Sequence, residues 1–567
     1  MKHKFILFFI VCAILCTAAE PLLKIGVMSD THINETRKSF YKVEPALKLF
    51  KQKQVDVIVH MGDFAQVHCP PGYRLYRQIF NEIFSGRKPQ EITVFDGHDV
   101  LGVKDKMQGF RVMQKELQTT NDLYDKKIIR DHIFLIYPYH ADLQRQEREI
   151  AQAVKESNGR PVFILDHVPP YDTTTDSRLW GNRKSRQFMD KFPQTIRLSG
   201  HSHGTLWSKN SIWQGKFTTV NAGCLQYWQG MLTGNAPERK SPEEVMVIEV
   251  FKNKIIFRCF CISDGSEIRP DAPWTIPWPF DEKTAPYSIG SRLQKEPLPR
   301  FPSGAKITLK ETGTAGKEYL FTLPEAENIR DCFMYRTRLF KDRKLITVRE
   351  FFSSFHKKKP DKSITLPFSA GYFEPGGRYT LSVTPVNFAG REGTALSLTL
   401  TTAQEQKTEE LFSCSDPALP GCKAATGLAG GKKLTFKDGF FEHPGWNVRL
   451  EFPQGIWKGP AKTKFRFILD LETHQADDCQ WSLRMRNSTP ARNANRRIFT
   501  PAGKSGVMRY VIDFEKKKND REFFLWITDA PAGKFKIHGI KIRRIMPPET
   551  QKGEKVRRKM PPDLKKR

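Results

Sequence analysis

The sequence is poor in cysteine, in acidic side chains and in long apolar runs. Its ten cysteines among 567 residues are too few for a scaffold held together by disulfides. Beyond residue 19, no segment approaches the roughly 20 apolar residues of a membrane-spanning helix. Lysines and arginines, 92 in all, outnumber the 62 acidic residues, but no arginine-aromatic stripe or nucleic-acid motif accompanies this charge. We therefore expect a solvated basic surface, with attraction to phosphate polymers, lipid surfaces or acidic glycans as the alternative.

The first 19 residues have the pattern of a signal peptide. Two lysines precede an apolar run from Phe5 to Cys16, and a Thr-Ala-Ala sequence ends at Ala19. We expect cleavage after Ala19 and a mature chain that is secreted or periplasmic and has no transmembrane helix. Lipid attachment at Cys16 is the alternative, although Leu15 stands where a small residue is preferred.

The remaining chain is long enough for several domains. We expect a first domain over residues 20–264, a linker rich in proline and tryptophan over 265–299, all-β sandwiches over 300–403 and 409–545, and a basic disordered tail over 546–567. In the first domain, short apolar runs alternate with helical patterns, which predicts an α/β domain of stacked sheets with flanking helices.

Five of these apolar runs end in an acidic or histidine-bearing turn. The turns are Ser29-Asp30-Thr31-His32, Gly62-Asp63, Asp96-Gly97-His98-Asp99, Asp166-His167 and Gly200-His201-Ser202-His203. Because ligands collect beyond the carboxyl ends of the strands in an open α/β sheet, we expect these side chains to converge. Carboxylate oxygens and imidazole nitrogens suit a pair of zinc, manganese or iron ions. The pattern therefore predicts a two-metal hydrolase.

The order and residue types of the five blocks resemble those of the calcineurin-like metallophosphoesterases, over about residues 22–262. The resemblance implies a four-layer αββα sandwich and hydrolysis of a phosphomonoester or phosphodiester by a hydroxide that bridges two divalent ions. It also implies the ligand set. The first ion would be held by Asp30, His32 and His203, the second by His167 and His201, and both would be bridged by Asp63.

The resemblance also assigns the third block. His98 would stabilise or protonate the leaving oxygen, and Asp99 would orient its imidazole. The chain departs from the family at Gly97, where the family has an asparagine ligand of the second metal. Three outcomes stay open: water or substrate fills the position, Asp96 swings its carboxylate in, or the second site is so weak that catalysis is lost.

Four further positions near the blocks need an interpretation. Purple acid phosphatases place a tyrosinate ligand where this chain has Gln66, so a tyrosinate-iron site is not expected. Tyr171 lies in a loop that would border the pocket, where it either stacks on the substrate or covers the edge of the core. His60 and His68 flank the second block without matching ligand positions, and both are interpreted as structural.

Alternating strands predict the later domains. Residues 300–403 resemble a fibronectin type III-like sandwich, with Tyr379 in its corner-tyrosine role. Residues 409–545 resemble a jelly-roll or carbohydrate-binding module, and a turn-rich loop there would allow Cys414 and Cys422 to form a local disulfide. Four tryptophans of this domain are either core residues or platforms for a glycan: Trp446, Trp457, Trp481 and Trp526.

Two functions are compatible with these patterns. The leading hypothesis is an exported metallophosphoesterase whose β-domains hold it on a surface or polymer. The alternative is a catalytically impaired phosphoesterase fold that acts as a surface or glycan-binding protein, and Gly97 keeps this alternative open. The six matched ligand residues favour the enzyme.

Overall fold

The computed structural model describes residues 20–138, 141–226, 243–311, 318–402, 408–416, 422–426, 433–443, 447–453, 455–475, 479–487, 494–500, 503–516, 523–528 and 533–546. The expected signal peptide lies outside the described residues, and so does the expected tail beyond residue 546. Within the described part of the chain, no helix combines the length and the apolar character needed to cross a membrane.

The N-terminal domain contains thirteen of the described strands, which form two sheets. In chain order they are β1 (Leu23–Met28), β2 (Val57–His60), β3 (Gln90–Thr93), β4 (Asp125–Ile129), β5 (His132–Tyr137), β6 (Val162–Asp166), β7 (Thr195–Ser199), β8 (Ile212–Gln214), β9 (Thr218–Asn221), β10 (Glu244–Val250), β11 (Lys254–Cys261), β12 (Ser266–Glu267) and β13 (Trp274–Pro277). The first sheet has the order β12-β11-β10-β1-β2-β3, with β13 beside β11, and the second has the order β4-β5-β6-β7-β9-β8.

Helices alternate with these strands along the chain. They are α1 (Val43–Gln52), α2 (Pro70–Ile83), α3 (Lys106–Leu117), α4 (Leu143–Glu156), α5 (Ser177–Trp180), α6 (Arg183–Met189) and, later in the chain, α7 (Ile289–Lys295). In α1 the buried positions recur every three or four residues, as a helix packed on one face requires. The ring of Phe50 lies so close to β1 that a Cβ at Gly26 would be 2.9 Å from it, so only glycine permits this packing.

The inner faces of the two sheets share one apolar core. Val27 and Val59 from the first sheet and Leu165 and Leu198 from the second belong to the same buried cluster. Strands β1, β2 and β3 run parallel, as do β5, β6, β7 and β9, so the carboxyl ends of the ligand-bearing strands point to one edge of the domain. The α/β fold predicted for the N-terminal domain is confirmed.

The segment expected to be a linker is part of the first sheet. Residues 274–277 form β13, which pairs antiparallel with β11, and β12 pairs with the end of the same strand. Trp274 and Trp278 are buried in the core between the sheets. The expected linker thus contributes two strands to the first sheet, and its tryptophans fill core volume between the sheets.

The next unit consists of seven strands in two sheets. The strands are β14 (Thr308–Glu311), β15 (Glu318–Pro324), β16 (Cys332–Lys341), β17 (Lys344–Phe352), β18 (Ser363–Ser369), β19 (Arg378–Asn387) and β20 (Leu396–Thr401), with the orders β14-β15-β18 and β17-β16-β19-β20. Tyr379 is buried, and its hydroxyl accepts a hydrogen bond from the backbone N–H of Glu374 at 2.7 Å. The corner-tyrosine role of Tyr379 stays a prediction.

The last unit also consists of two sheets. Its strands are β21 (Thr408–Cys414), β22 (Lys423–Thr426), β23 (Phe436–Lys437), β24 (Phe440–His443), β25 (Asn447–Glu451), β26 (Lys464–Gln475), β27 (Cys479–Asn487), β28 (Ala494–Thr500), β29 (Gly503–Glu515), β30 (Phe523–Thr528) and β31 (Gly533–Ile545). One sheet has the order β23-β24-β31-β26-β29, with β21 beside β31, and the other the order β22-β25-β30-β27-β28. The region after the N-terminal domain is thus built of β-sheets, as expected.

Two of the four tryptophans in the last unit are buried, which argues against their use as sugar-binding platforms. Trp457 is a core residue that packs on Phe465 and Phe523, with ring centroids 5.5 and 5.3 Å away. Trp526 is only 7% exposed. The side chain of Trp481, like the whole of Trp446, lies outside what the structure describes.

The local disulfide that the turn-rich loop would allow is not formed between Cys414 and Cys422. Both are free thiols. Burial raises the pKa of the Cys422 thiol to about 12.

The second unit docks on the N-terminal domain beside the last histidine block. The Trp207 ring packs between the cores of the two units, with the Arg330 guanidinium carbon 4.2 Å from its centroid. Lys209 forms an ion pair with Asp331 across the same contact. On the other side, the buried Glu244 accepts hydrogen bonds from the Thr205 hydroxyl and the Leu206 amide, at 2.7 and 2.5 Å. Residues 205–211 therefore contact Glu244 of the N-terminal domain on one side and the second unit on the other.

Candidate metal centre

The candidate ligands lie in short turns directly beyond β1, β2, β6 and β7. Five of the six have a left-handed backbone conformation, with φ of 52° at Asp30, 44° at His32, 50° at Asp63, 63° at His201 and 48° at His203. This conformation costs a residue other than glycine about 1–3 kcal/mol, and it persists only where the surroundings impose it. Such strain collects at functional sites, and here it turns five side chains toward one place.

Backbone hydrogen bonds tie these turns to one another. The amide of Asp30 donates to the carbonyl of Gly62 at 3.2 Å, and that of His32 to the carbonyl of Asp63 at 3.1 Å. In the second sheet, the amide of Gly200 donates to the carbonyl of His167 at 2.9 Å. The positions of the ligands are therefore fixed by main chain as well as by side-chain packing.

One group of four buried side chains forms the first cluster. Asp30, His32, Asp63 and His203 each bring one ligand atom within 4.8 Å of all the others. Nε2 of His203 lies 3.1 Å from Oδ1 of Asp30 and 3.4 Å from Nε2 of His32. Two carboxylates and two imidazoles form a mixed oxygen and nitrogen donor set that suits zinc, manganese or iron.

A second cluster shares Asp63 with the first. It consists of Asp63, His167 and His201, whose ligand atoms also lie within 4.8 Å of one another. Nε2 of His167 is 3.4 Å from Oδ2 of Asp63. Nδ1 of His167 donates to the carbonyl oxygen of Met61 at 2.6 Å, which leaves Nε2 to act as the ligand atom. Because Asp63 belongs to both clusters, its carboxylate stands where a bridging ligand would.

Two buried ligand atoms support the fit of a cation. Oδ1 of Asp30 and Nε2 of His167 are buried, and neither has a hydrogen-bond partner among the described residues. The two atoms are 4.0 Å apart. A buried polar atom without a partner costs free energy, and one cation at each cluster would satisfy both atoms. The residues present therefore fit a pair of divalent ions.

Burial keeps two of the imidazoles neutral. It lowers the pKa of His32 and that of His201 to about 4, so both are free to coordinate a metal at neutral pH. Burial alone would raise the pKa of Asp30, but the His203 imidazole outweighs this effect and the pKa falls to about 2. Asp30 is therefore a carboxylate at neutral pH.

The other two imidazoles behave in the opposite way. Burial favours neutral His167, but the Asp63 carboxylate outweighs it and raises the pKa of His167 well above the usual value. The pKa of His203 is likewise raised despite burial, because Cys224 and Asp30 favour the charged ring. A metal ion has to displace the protons that these rings carry.

The sequence of this stretch matches a known family. The family model described as calcineurin-like phosphoesterase matches residues 23–205, a range that contains all six ligands of both clusters. Residues 23–205 are a calcineurin-like phosphoesterase domain. No curated protein sequence matches the chain.

Solved structures resemble parts of the chain at low identity. A dimetal phosphatase from Danio rerio is 10% identical, covers 46% of this chain and 100% of its own, and has a TM-score of 0.29. The purple acid phosphatase PPD1 from yellow lupin (Lupinus luteus) is 11% identical, covers 45% of this chain and 53% of its own, and has a TM-score of 0.33. A carbohydrate-binding module of Cellvibrio mixtus lichenase 5A is 13% identical, covers 24% of this chain and 97% of its own, and has a TM-score of 0.16. Likeness at this level says nothing about the substrate of this phosphoesterase domain.

The backbone at Gly97 touches the shared carboxylate. Gly97 has φ of 57°, and a Cβ added to it would lie 1.9 Å from Oδ1 of Asp63. The same oxygen accepts a hydrogen bond from the amide of His98 at 2.5 Å. The phosphoesterase domain therefore has no room for a side chain at this position.

Asp96 lies beside the clusters without joining them. Its side chain is fully buried, Oδ1 accepts from the Gly97 amide at 2.5 Å, and Oδ2 has no hydrogen-bond partner among the described residues. Burial raises the pKa of this carboxyl well above its usual value, although the nearby His167 opposes the shift. A role for Asp96 as substitute ligand stays a prediction.

The structure corrects the expected partner of His98. Nδ1 of His98 lies 2.9 Å from the carbonyl oxygen of Gln66, and no hydrogen bond joins this ring to Asp99 among the described contacts. Asp99 instead accepts from the amides of Phe64 and Ala65 at 3.0 and 2.9 Å. The reason is the 3₁₀ turn Gly97–Val100, which directs successive side chains to different sides. Asp99 thus holds the turn after Asp63.

The remaining positions near the site have local partners. The Arg183 guanidinium carbon lies 3.7 Å from the centroid of the Tyr171 ring, so the two side chains form a cation-π pair in the loop after His167. His60 is buried, and its Nε2 lies 3.0 Å from the Thr31 hydroxyl, as suits a structural residue.

Sequence reasoning gave no role to two residues that contact the site. Gln66 was considered only as a missing tyrosinate, yet its carbonyl orients His98. Cys224 lies 3.2 Å from Nδ1 of His203. The sequence could have indicated this contact, because Cys224 lies just beyond β9. Strand β9 is parallel to β7, so both strands end at the edge that carries the histidine block.

Alanine at position 97 should disturb the metal centre. We expect Gly97→Ala to lower the affinity for at least one ion by about tenfold or more, because a left-handed alanine costs about 1–3 kcal/mol and its Cβ would displace Asp63. Metal content after dialysis and titration of the metal-free protein measure the effect.

Gly86→Ala is the matched control for this substitution. A Cβ at Gly86 would meet no atom within 4 Å, and this residue does not have positive φ. Asparagine at position 97 tolerates the backbone conformation but brings the same Cβ. If Gly97→Ala bound both ions like the unaltered protein, the backbone contact with Asp63 would have no role in metal binding.

Metal affinity should increase with pH. His167 and His203 have raised pKa values, so coordination by their neutral rings must release protons, and a higher pH removes this cost. Calorimetric titrations between about pH 6 and about pH 8, in buffers of different ionisation enthalpy, would count the protons released. Affinity that is constant over this range, with no proton release, would contradict the assignment of these rings as ligands.

Proposed function

We propose that the chain is a metal-dependent phosphoesterase that hydrolyses a phosphomonoester or phosphodiester. The observation that carries this proposal is Asp63, whose buried carboxylate belongs to both ligand clusters. A pair of divalent cations, manganese, zinc or iron, supplies Lewis acidity toward phosphoryl oxygens and activates water. The match of residues 23–205 to the calcineurin-like phosphoesterases supports the same class of reaction.

The protein's contribution begins with a preformed set of charges. Asp30 and Asp63 provide two buried negative charges within one pocket, and neutral His32 and His201 complete the coordination without adding charge. Because the turns that carry these residues are tied by backbone bonds, little reorganisation accompanies substrate binding. Asp99 supports this geometry by holding the amides that follow Asp63.

In this proposal, His98 handles the proton of the leaving group. Its ring lies edge-on to His32, with centroids 4.8 Å apart, so it stands next to the first cluster. The carbonyl oxygen of Gln66 can only accept, so Nδ1 donates to it at 2.9 Å and Nε2 is the nitrogen left to act on the substrate. When the ring is charged, Nε2 can donate its proton to the departing oxygen. Asp99 acts on catalysis only through the turn that it supports.

The alternative proposal is an impaired phosphoesterase fold that serves as a binding protein. Gly97 is its only specific support, because the second cluster has three side-chain ligands where the family has a fourth. Against it stands the fit of the backbone to the glycine, since His98 donates to Asp63 through the space that a side chain would occupy. Such a fitted contact is typical of a maintained site, so we favour the enzyme.

The proposals about partners other than the substrate rest on the sequence. Glycan binding by the last unit gains nothing from Trp457 and Trp526, because both are buried. The pair of Tyr171 and Arg183 offers a positive and aromatic rim for a phosphate ester.

Export of the chain stays a prediction from the pattern of residues 1–19.

Substitution of the shared carboxylate tests the proposed function. We expect Asp63→Asn to reduce hydrolysis of chromogenic phosphomonoesters and phosphodiesters to background, because the amide cannot bridge two cations. Steady-state assays of the full chain with added manganese or zinc measure the rate. Activity of the variant near that of the unaltered protein would refute the proposal.

Asp131→Asn is the matched control. Asp131 also has a left-handed backbone, with φ of 58°, but its side chain is 81% exposed and pairs only with Arg160 among the described ion pairs. We expect this variant to keep full activity. A similar loss in both variants would mean that the effect comes from strain in the fold and not from metal coordination.

The loss of kcat caused by replacing His98 should depend on the leaving group of the ester. We expect His98→Ala to lower kcat by about 10²–10⁴-fold for an alkyl ester, whose leaving oxygen needs a proton, and far less for a nitrophenyl ester. His68→Ala is the control, since His68 contacts Tyr73 and belongs to neither cluster. An equal loss with both esters would show that His98 acts on binding or structure instead of on the leaving group.

A further inference from the structure

A histidine that binds a metal usually has its second ring nitrogen fixed by a hydrogen-bond partner. For His167 this partner is the carbonyl oxygen of Met61, at 2.6 Å from Nδ1. For His203 the atom at this position is a sulfur: Sγ of Cys224 lies 3.2 Å from Nδ1. Partners of this kind determine which nitrogen is left for a metal and how the ring is turned.

The main chain around Cys224 fixes the position of this sulfur. The residue is fully buried, and its carbonyl accepts from the amide of Glu244 at 3.3 Å. The following amides, of Leu225 and Gln226, donate to the carbonyls of Ser29 and Asp30, both at 3.2 Å. Cys224 is therefore bound to the same stretch of chain that carries the first ligand.

The conformation of the preceding residue allows this approach. Gly223 has φ of 78°, and a Cβ there would lie 2.9 Å from the Leu206 side chain. Only glycine fits, so the chain can turn between β9 and Cys224 and bring the thiol under the histidine block.

The thiol contacts both sides of the first cluster. With a metal ion on Nε2 of His203, Nδ1 would carry the proton of the ring and donate to the sulfur lone pair 3.2 Å away. The thiol hydrogen points to the backbone carbonyl oxygen of Asp30, with sulfur and oxygen 3.8 Å apart. A neutral thiol can therefore accept from one ligand residue and donate to the other at the same time.

We propose that Cys224 is a positioning residue of the first metal site, which holds the tautomer and the ring orientation of His203. The inference rests on the proposed two-metal function, but it concerns metal retention and not the reaction. In this proposal the sulfur does not coordinate the ion, but it determines how well His203 coordinates it.

The experiment compares two substitutions at this position in the full chain. We expect Cys224→Ala to weaken binding of one of two Co²⁺ ions by about 10–100-fold, the usual effect of removing the outer partner of a histidine ligand. Cys224→Ser should stay closer to the unaltered protein, because the hydroxyl can still accept from Nδ1. Titration of the metal-free protein, with the visible absorption of bound Co²⁺, measures both affinity and ligand geometry.

A structural role alone would give a different result. Cys259→Ala is the matched control, because Cys259 is a buried cysteine of the same domain that packs in the core between the sheets. We expect this control to bind both ions normally. Thermal unfolding of the metal-free proteins should give the same Tm for Cys224→Ala and Cys224→Ser, and the two should separate only when Co²⁺ is bound.

Two outcomes would overturn the inference. One is a Cys224→Ala variant that binds both ions with unaltered affinity and spectrum. The other is equal weakening in Cys224→Ala and Cys224→Ser together with a lower Tm of both metal-free proteins. Failure of the proposed function looks different, since the unaltered protein would then bind two ions and hydrolyse no phosphate ester.

Discussion

The buried charge of Asp63 is the constraint on which the phosphoesterase domain depends. A carboxylate that is 2% exposed needs positive charge or hydrogen-bond donors around it, since burying a lone charge is costly. The chain surrounds it with imidazoles from both sheets and with the amide of His98. The left-handed turns, the glycine at position 97 and the carboxylate of Asp99 below the loop all serve this arrangement.

The convergence of the ligands was predictable because it follows from topology. Runs buried on both faces predict parallel strands, and parallel strands end at one edge, so turns far apart in sequence meet there. The outline of the α/β domain and the mixed donor set follow from this reasoning. Distances such as the 3.1 Å between Asp30 and His203 do not, because they depend on the backbone angles of single residues in the turns.

Contacts made by the main chain were out of reach of the sequence. His98 and Asp99 are neighbours, which suggested that they interact, but the 3₁₀ turn separates their side chains and a carbonyl oxygen takes over the orienting role. The glycine at position 97 was interpreted as a missing ligand, since a sequence does not reveal that backbone fills the space. Trp274 was assigned to a linker because prolines surround it, and the sequence did not reveal that its strand pairs with β11 in the first sheet.

The docking of the second unit at Trp207 has a mechanical consequence. The segment Thr205–Ser211 begins two residues after His203, and it is clamped between Glu244 on one side and Arg330 and Asp331 on the other. A rotation of the second unit would therefore strain a segment that starts two residues after a candidate metal ligand. The orientation of this unit and the alignment of the His203 ring are in this way mechanically coupled.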